Sequence, residues 1–389
     1  MALVAARTPA EGLILAEVHR HGPRPFSRVM EVALYHPENG FYAAVGGRAG
    51  RRGDFLTSPE VGPLFGAVVA RALDTWWDEA GRPEVWTVVE AGAGTGALAR
   101  AVLGAEPRCT GALRYVLVER SDAQRTAHSE RLPLEDAVLA FPAAAEDPDW
   151  DKASPPRPPP GPITVSLAKL PRLSGSCVVL ANELLDNLPV DLAQRTGSGW
   201  AEVRVGAAGG GDDGLSEVLV PLDPVRAALL DRLAPLAEVG ARAPLQGEAA
   251  AWLREALSLA GPGGRVVVLD YATDTAELAA RPQSQWLRTY RAHSRGGSVL
   301  DALGTQDVTC EVAIDQLAAV RVPSADRSQA EWLDAYGIEE LVAEGRRIWA
   351  ERAHLGDLVA VRARSRVGEA AALCDPAGLG AFRVLEWAT

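Results

Sequence analysis

The stretch from Val88 to Leu103, VVEAGAGTGALARAVL, sets the tightest limit on what this chain can fold into. An apolar run ends in an acid, passes through glycines at alternate positions, Gly92, Gly94 and Gly96, and enters an alanine-rich segment that reads as helix. A strand, a glycine turn and a helix together let backbone approach a ligand closely and point the helix N-terminus at it. Three further apolar runs, LRYVLVER, SCVVLANEL and GRVVVLDYA, alternate with helix-like segments. Continuous Val/Leu runs belong to strands covered on both faces, and their alternation with helices predicts a parallel, doubly wound sheet. The expected fold class is α/β.

The turn alone does not name its ligand, because Gly92, Gly94 and Ala97 also satisfy a dinucleotide pattern. Glu90, two residues before the first glycine, discriminates better. It would repel a pyrophosphate and attract a cofactor that carries an ammonium and a sulfonium. That favours S-adenosylmethionine. Glu119, at the end of the second run, can accept both hydroxyls of a ribose, a role that serves either cofactor.

Composition narrows the classes further. With 389 residues, 48% of them hydrophobic, the chain can bury a sizeable core as one large domain with insertions, or as two. A formal net charge of −12 argues against a nucleic-acid partner. Cys109, Cys177, Cys310 and Cys374 lie far apart, which predicts a reduced, cytoplasmic setting. No run resembles an export signal or a membrane anchor. Neither a metal-ligand spacing nor a convincing Ser/His/Asp order is present, so neither a metalloenzyme nor a hydrolase is expected.

The chain reads as a helical N-terminal or lid region (1–80), a core domain (81–322) and a helical extension (323–389) that ends in a strand. Two insertions interrupt the core. The first, 142–162, is proline-rich and acidic; the second, 194–245, holds a β-hairpin expected at the edge or rim of the sheet.

Methyl transfer is an in-line displacement, so an enzyme must mainly align and desolvate the acceptor. If the acceptor were a guanidinium, carboxylates would also have to hold its other nitrogens while a proton leaves. LANELLDNLPV supplies Asn182, Glu183 and Asp186 directly after a buried strand, at the edge where open α/β sheets bind ligands. If the turn continues as helix, Glu183 and Asp186 share a face. Asn182 and Glu183 are expected to contact the acceptor and Asp186 to orient it; the alternative makes Asp186 a cap before Pro189. Asp270 and Tyr271 end another strand and read equally as acceptor contacts or as structural groups. His293, in TYRAHSR, is the candidate proton acceptor, the alternative being a structural histidine.

Seven segments, VMEVALYHPENGFYA, GDFLTSPEVGPLFG, the glycine turn, YVLVERSDAQR, LANELLDNLPV, VVVLDYA and LRTYRAHSRGGSVLDALGTQDVTCEVAIDQL, follow one another in an order and spacing that resembles the MidA family of methyltransferases. The resemblance spans about Gly22 to Leu317. It implies a class I methyltransferase fold, a Rossmann-like seven-stranded sheet that binds S-adenosylmethionine, with a helical N-terminal segment and family-specific insertions. The best-known type of the family methylates an arginine of a protein. By motif, Gly92, Gly94 and Gly96 resemble the cofactor turn and Glu119 the ribose acid. GDFLTSPE implies a lid with Asp54 and Thr57 as polar contacts, although TSPE also reads as a plain helix start with Ser58 as cap. The family reads closer to ELGPGRGT and DYG where this chain has EAGAGTGA and DYA, departures that bear on the acceptor. A protein arginine is the expected acceptor. The alternatives are a small molecule or modified peptide, or an assembly factor with weak or no catalysis.

Overall fold

The computed structural model describes residues 7–43, 57–141, 159–173, 175–209, 214–291 and 294–389. The chain forms two compact units. One comprises Leu56–Asn182, Ala256–Leu269 and Pro323–Thr389, the other Met1–Phe55, Glu183–Glu255 and Asp270–Val322. Each draws on three separate stretches, so the N-terminal region, the insertions and the C-terminal extension are shared out between them.

The first unit is built on a seven-stranded sheet. Its strands in chain order are β1 (Trp86–Ala91), β2 (Leu113–Val118), β3 (Ile163–Leu167), β4 (Val178–Asn182), β5 (Arg265–Asp270), β6 (Ala325–Ser328) and β7 (Arg383–Ala388). They lie in the order β6-β7-β5-β4-β1-β2-β3. The pairs β1–β2, β2–β3, β1–β4 and β4–β5 are parallel, and β6–β7 is antiparallel. The four Val/Leu runs of the sequence are thus β1, β2, β4 and β5, side by side in the sheet interior. All six residues of β2 are buried, as a strand covered on both faces requires.

Two helices matter for the site. The helix α1 (Pro63–Glu79) buries Leu64, Phe65, Val68, Val69, Leu73 and Trp76, a stripe at helical spacing headed by proline in its first turn. The helix α2 (Ala97–Gly104) follows the glycine turn and buries Leu98, Ala99 and Val102. Gly66 lets the two touch, because a Cβ there would stand 2.3 Å from that of Ala101. Strand order reverses between β1 and β4, which makes their carboxyl ends a topological switch point where open α/β sheets bind ligands.

The C-terminal extension does more than supply helices. The expected final strand is β7, and it enters the sheet between β5 and β6, with Val384, Leu385 and Trp387 buried. Glu386, buried beside them, is held by Arg265 at 2.9 Å, by the indole N–H of Trp332 at 3.1 Å and by Arg327. A buried acid placed this way is tolerated because every partner is in reach.

The second unit has a five-stranded sheet in which 199–207 lies between 24–25 and 191–196, with 242–245 beyond and 215–221 also on 199–207. Its pairings are antiparallel. The expected hairpin exists as strands Gly199–Ala207 and Leu215–Pro221, but it belongs to this separate sheet and not to the rim of the parallel one. A three-stranded sheet sets 287–291 between 294–295 and 307–310. The helix Phe26–Tyr35 packs Phe26, Val29, Met30 and Leu34 into the core of this unit together with Leu192, Val203, Leu287 and Val308. Among the described residues no helix is long and apolar enough to cross a membrane.

Candidate active site

The glycine turn takes the conformation its sequence demands. Gly92, Gly94 and Gly96 have φ of 69, 54 and 79°, in the left-handed region that side chains resist. Gly94 N–H donates to Glu119 Oε2 at 2.9 Å and Ser121 N–H to Glu119 Oε1 at 2.7 Å. The Glu119 carboxylate, at the end of β2, is therefore fixed in orientation from both sides. Burial raises its pKa, and those backbone bonds oppose the rise. The remaining lone-pair capacity of its oxygens suits a ribose diol. The residues present fit an adenosyl cofactor: a side-chain-free turn at the switch point, and a rigid carboxylate beside it.

Two residues that the sequence reading left without a role support this turn. His128 Nε2 lies 2.8 Å from the Gly94 carbonyl oxygen, and its Nδ1 lies 2.8 Å from Ser166 Oγ. Gln124, buried, stands where a Cβ on Gly94 would come within 3.2 Å of its Oε1. The helical face of SDAQRTAHSER carried the signal, since Gln124 and His128 are four apart and the helix Asp122–Arg131 buries both.

Glu90 sits deeper than a ligand contact would. The phenol of Tyr115 donates to its Oε2 at 2.7 Å, and it also accepts the backbone N–H of Ala99, in the first turn of α2. Burial raises its pKa to about 7. Glu90 thus ties β1 to the helix that leaves the turn. Thr57, not Ser58, precedes the helix Ser58–Val61 and forms a capping box with Glu60. Ser58 instead turns its hydroxyl inward to Gln329 Oε1 at 2.9 Å. Asp54 and His293 lie outside the described residues.

Asn182 closes β4, paired in register with Leu269 of β5. The next residue, Glu183, has φ of 52°, an uncommon backbone for a glutamate. Such strain gathers at functional turns. It also breaks the expected helical continuation, so Glu183 and Asp186 do not share a helix face; the chain makes a single 3-10 turn, Leu185–Asn187. Asp270 stabilises that turn. Its Oδ2 accepts the N–H groups of Leu185 at 2.9 Å and Asp186 at 3.2 Å, and its Oδ1 accepts that of Tyr271 at 2.9 Å.

Asp186 is 3% exposed, and its Oδ1 has no hydrogen-bond partner among the described residues. Burial and then the charges of Asp270, Glu183 and Asp307 push its pKa well above the carboxylate range. Burial raises Asp270 too, but backbone N–H groups hold that rise in check. Of the two, Asp186 keeps the proton.

Next to it, Asn187 is locked by a network. Its amide donates to Asp307 Oδ1 and to the Val308 carbonyl, both at 3.1 Å. Tyr42 O–H reaches Asn187 Oδ1 at 3.1 Å and Asp307 Oδ1 at 3.0 Å, and Tyr35 O–H donates to the Asn187 carbonyl at 3.0 Å. The LYHPENGFYA segment therefore serves the turn after β4, a role its tyrosines did not disclose in the sequence.

Asp186 lines a pocket of the second unit with Tyr271, Trp286 and Tyr290. Arg288, Thr309 and Glu311 complete the lining. Strand alternation explains part of the set: Arg288 and Tyr290 share one face of 287–291, Arg288 lies opposite Thr309 across an antiparallel pair, and Trp286, just before the strand, packs into the core. The other face sends Leu287, Val308 and Cys310 into the core. The indole N–H of Trp286, like Asp186 Oδ1, has no partner among the described residues.

A family model described as "Putative S-adenosyl-L-methionine-dependent methyltransferase" matches residues 68–328. The mitochondrial protein arginine methyltransferase NDUFAF7 homolog of Drosophila melanogaster is 27% identical over 321 residues, covering 76% of this chain and 66% of that protein. Its Mus musculus counterpart is 27% identical over 316 residues, covering 80% of this chain and 69% of that protein. The chain thus spans about two thirds of the length of these relatives. A crystal structure of a COG1565 superfamily member from Burkholderia thailandensis, bound to S-adenosyl-homocysteine, superposes with a TM-score of 0.78 at 26% identity, covering 98% of this chain and 92% of that one. S-adenosyl-homocysteine is what remains of S-adenosylmethionine after methyl transfer, so the expected cofactor and α/β methyltransferase fold are both borne out. The chain belongs to this family of S-adenosylmethionine-dependent methyltransferases, to which the MidA resemblance also pointed.

Proposed function

We propose that this protein transfers a methyl group from S-adenosylmethionine to an arginine side chain of a protein partner. The observation that carries the reading is the pocket in which the carboxyl group of Asp186 lies among Tyr271, Trp286 and Tyr290. Carboxylate oxygens take the N–H groups of a guanidinium in pairs, and aromatic faces attract its delocalised charge. The names of the fly and mouse relatives support the same acceptor.

In this reading the backbone of Gly92, Gly94 and Gly96 and the carboxylate of Glu119 hold the cofactor, with Thr57 as a further polar contact. Glu90 acts indirectly, through its bonds to Tyr115 and α2. The bound cofactor supplies a methyl group activated by a positively charged sulfur. Asp270 positions the turn that carries Asp186. As the guanidinium enters, the carboxyl group of Asp186 accepts one of its N–H groups through Oδ1, while Asn182 directs another. The attacking nitrogen forms its bond to carbon as the sulfur–carbon bond breaks, and Glu183 takes the proton that the nitrogen loses. His293 is the candidate to pass that proton on.

The test is to incubate the full chain with radiolabelled S-adenosylmethionine and an extract of its host, then hydrolyse labelled protein. Methylarginine is the expected product, and Glu183→Gln should keep cofactor binding while losing transfer. Label found only in small molecules would replace the protein acceptor with a metabolite; undiminished transfer by Glu183→Gln would remove Glu183 from its role.

A further inference from the structure

The pocket that holds Asp186 also contains a cation of its own. Arg288 lies beside Tyr271, its guanidinium carbon 5.8 Å from the ring centroid, and its Nε–H donates to the Gln285 carbonyl at 2.6 Å. That bond fixes the side chain and leaves the two terminal nitrogens as a fork. Among the described residues no carboxylate pairs with it. Glu311, the other acid of the lining, is taken by Arg281 at 3.0 Å. Asp186 is 3% exposed and has no partner at Oδ1.

A guanidinium acceptor entering this pocket meets a like charge, and with Asp186 given to the acceptor and Glu311 against Arg281, Arg288 is left without an anion of its own. The acceptor must bring the missing anion. Trp286 adds a second, independent indication, since its buried indole N–H also lacks a partner and, like Arg288, needs an acceptor atom. Donors at Arg288 and Trp286 on one wall and a carboxyl group at Asp186 on another suit a ligand that carries both signs of charge.

We infer that the substrate is an acidic-flanked arginine: the acceptor segment presents an aspartate or glutamate carboxylate beside the methylated guanidinium, and Arg288 selects for it with a bidentate pair. The inference rests on the arginine reading above and names the kind of segment it accepts. Arg288 is a specificity-determining residue and takes no part in the transfer of the methyl group.

The experiment labels host extract with wild type, Arg288→Gln and Arg288→Lys, maps the methylated sites by mass spectrometry, and measures kinetics on the mapped segment and on its Asp→Asn or Glu→Gln version. Cofactor affinity and melting temperature of each variant report that the fold is intact. An acid close to the methylarginine is expected. Arg288→Gln should raise KM about 10-fold or more with kcat within about 2-fold, Arg288→Lys should recover part of the loss, and neutralising the acid should cost wild type the same factor but Arg288→Gln nothing. Methylarginine at sites without a nearby acid, or kinetics unmoved by Arg288→Gln, would overturn the inference and leave the arginine reading standing. Labelled products without methylarginine, or no transfer, would remove both.

Discussion

The cofactor turn and the acid turn are built on opposite principles. Around Gly94 the polar groups are satisfied locally: Glu119 takes two backbone N–H groups, and His128 braces the Gly94 carbonyl. Around Asp186, carboxyl groups are crowded in the buried interior, Asp186 Oδ1 has no partner among the described residues, and Glu183 adopts a strained backbone. The first is finished before any ligand arrives. In the proposed reading the second gains its missing partners from an acceptor, which is how a site reserves its strongest interactions for the reacting complex.

Breaking this contrast at its unsatisfied end should have the largest effect. Asp186→Asn is expected to lower kcat about 1,000-fold with cofactor affinity unchanged, as calorimetry with S-adenosyl-homocysteine would check. An equal loss of affinity would mean that the two turns are one site energetically. At the satisfied end, Gly94→Val places a branched side chain at φ of 54° with its Cβ 3.2 Å from Gln124 Oε1. Cofactor affinity should fall about 100-fold by the same measurement.

Glu90 sharpens the comparison because it is a buried acid that is fully partnered. Its pKa, raised from 4.5 to about 7, means that the folded chain binds a proton the unfolded chain has released. The sign follows: its contribution to stability is complete below pH 4.5 and is lost as pH rises through about 7. Glu90→Gln should abolish this slope, which amounts to about 2 kcal/mol between pH 4.5 and 6 in wild type and is readable by denaturant titration at several pH values. A slope that persists in the variant would place the titration elsewhere. The smallest effect is expected from Tyr42→Phe, which deletes the hydroxyl shared between Asn187 and Asp307. It should cost about 1 kcal/mol of stability. A loss of transfer well beyond that would show that the network also sets the position of Asp186.

The same contrast explains what the sequence discloses. The parallel strands and the glycine turn are legible because each is contiguous: a Val/Leu run or a spaced set of glycines carries its own physics. Glu119 is legible for the same reason, ending a run. The proposed acceptor pocket draws on Asp186, Tyr271, Trp286, the 287–291 strand and the 309–311 segment, and only tertiary pairing such as Arg288 with Thr309 gathers them. Nothing local in LRTYRAHSR says which face of its strand meets solvent. The helix expected after Asn182 fails for a tertiary reason, since Asp270 captures the N–H groups of Leu185 and Asp186 and bends the chain into a single turn.

The place of β7 has a consequence for how the chain is made. Its sheet neighbour β5 ends at Asp270, while β7 begins at Arg383. During synthesis the flank of β5 emerges long before the strand that will cover it, and an uncovered strand edge is a template for pairing with other chains. For that interval the growing polypeptide carries an uncovered border, a hazard set by strand order alone.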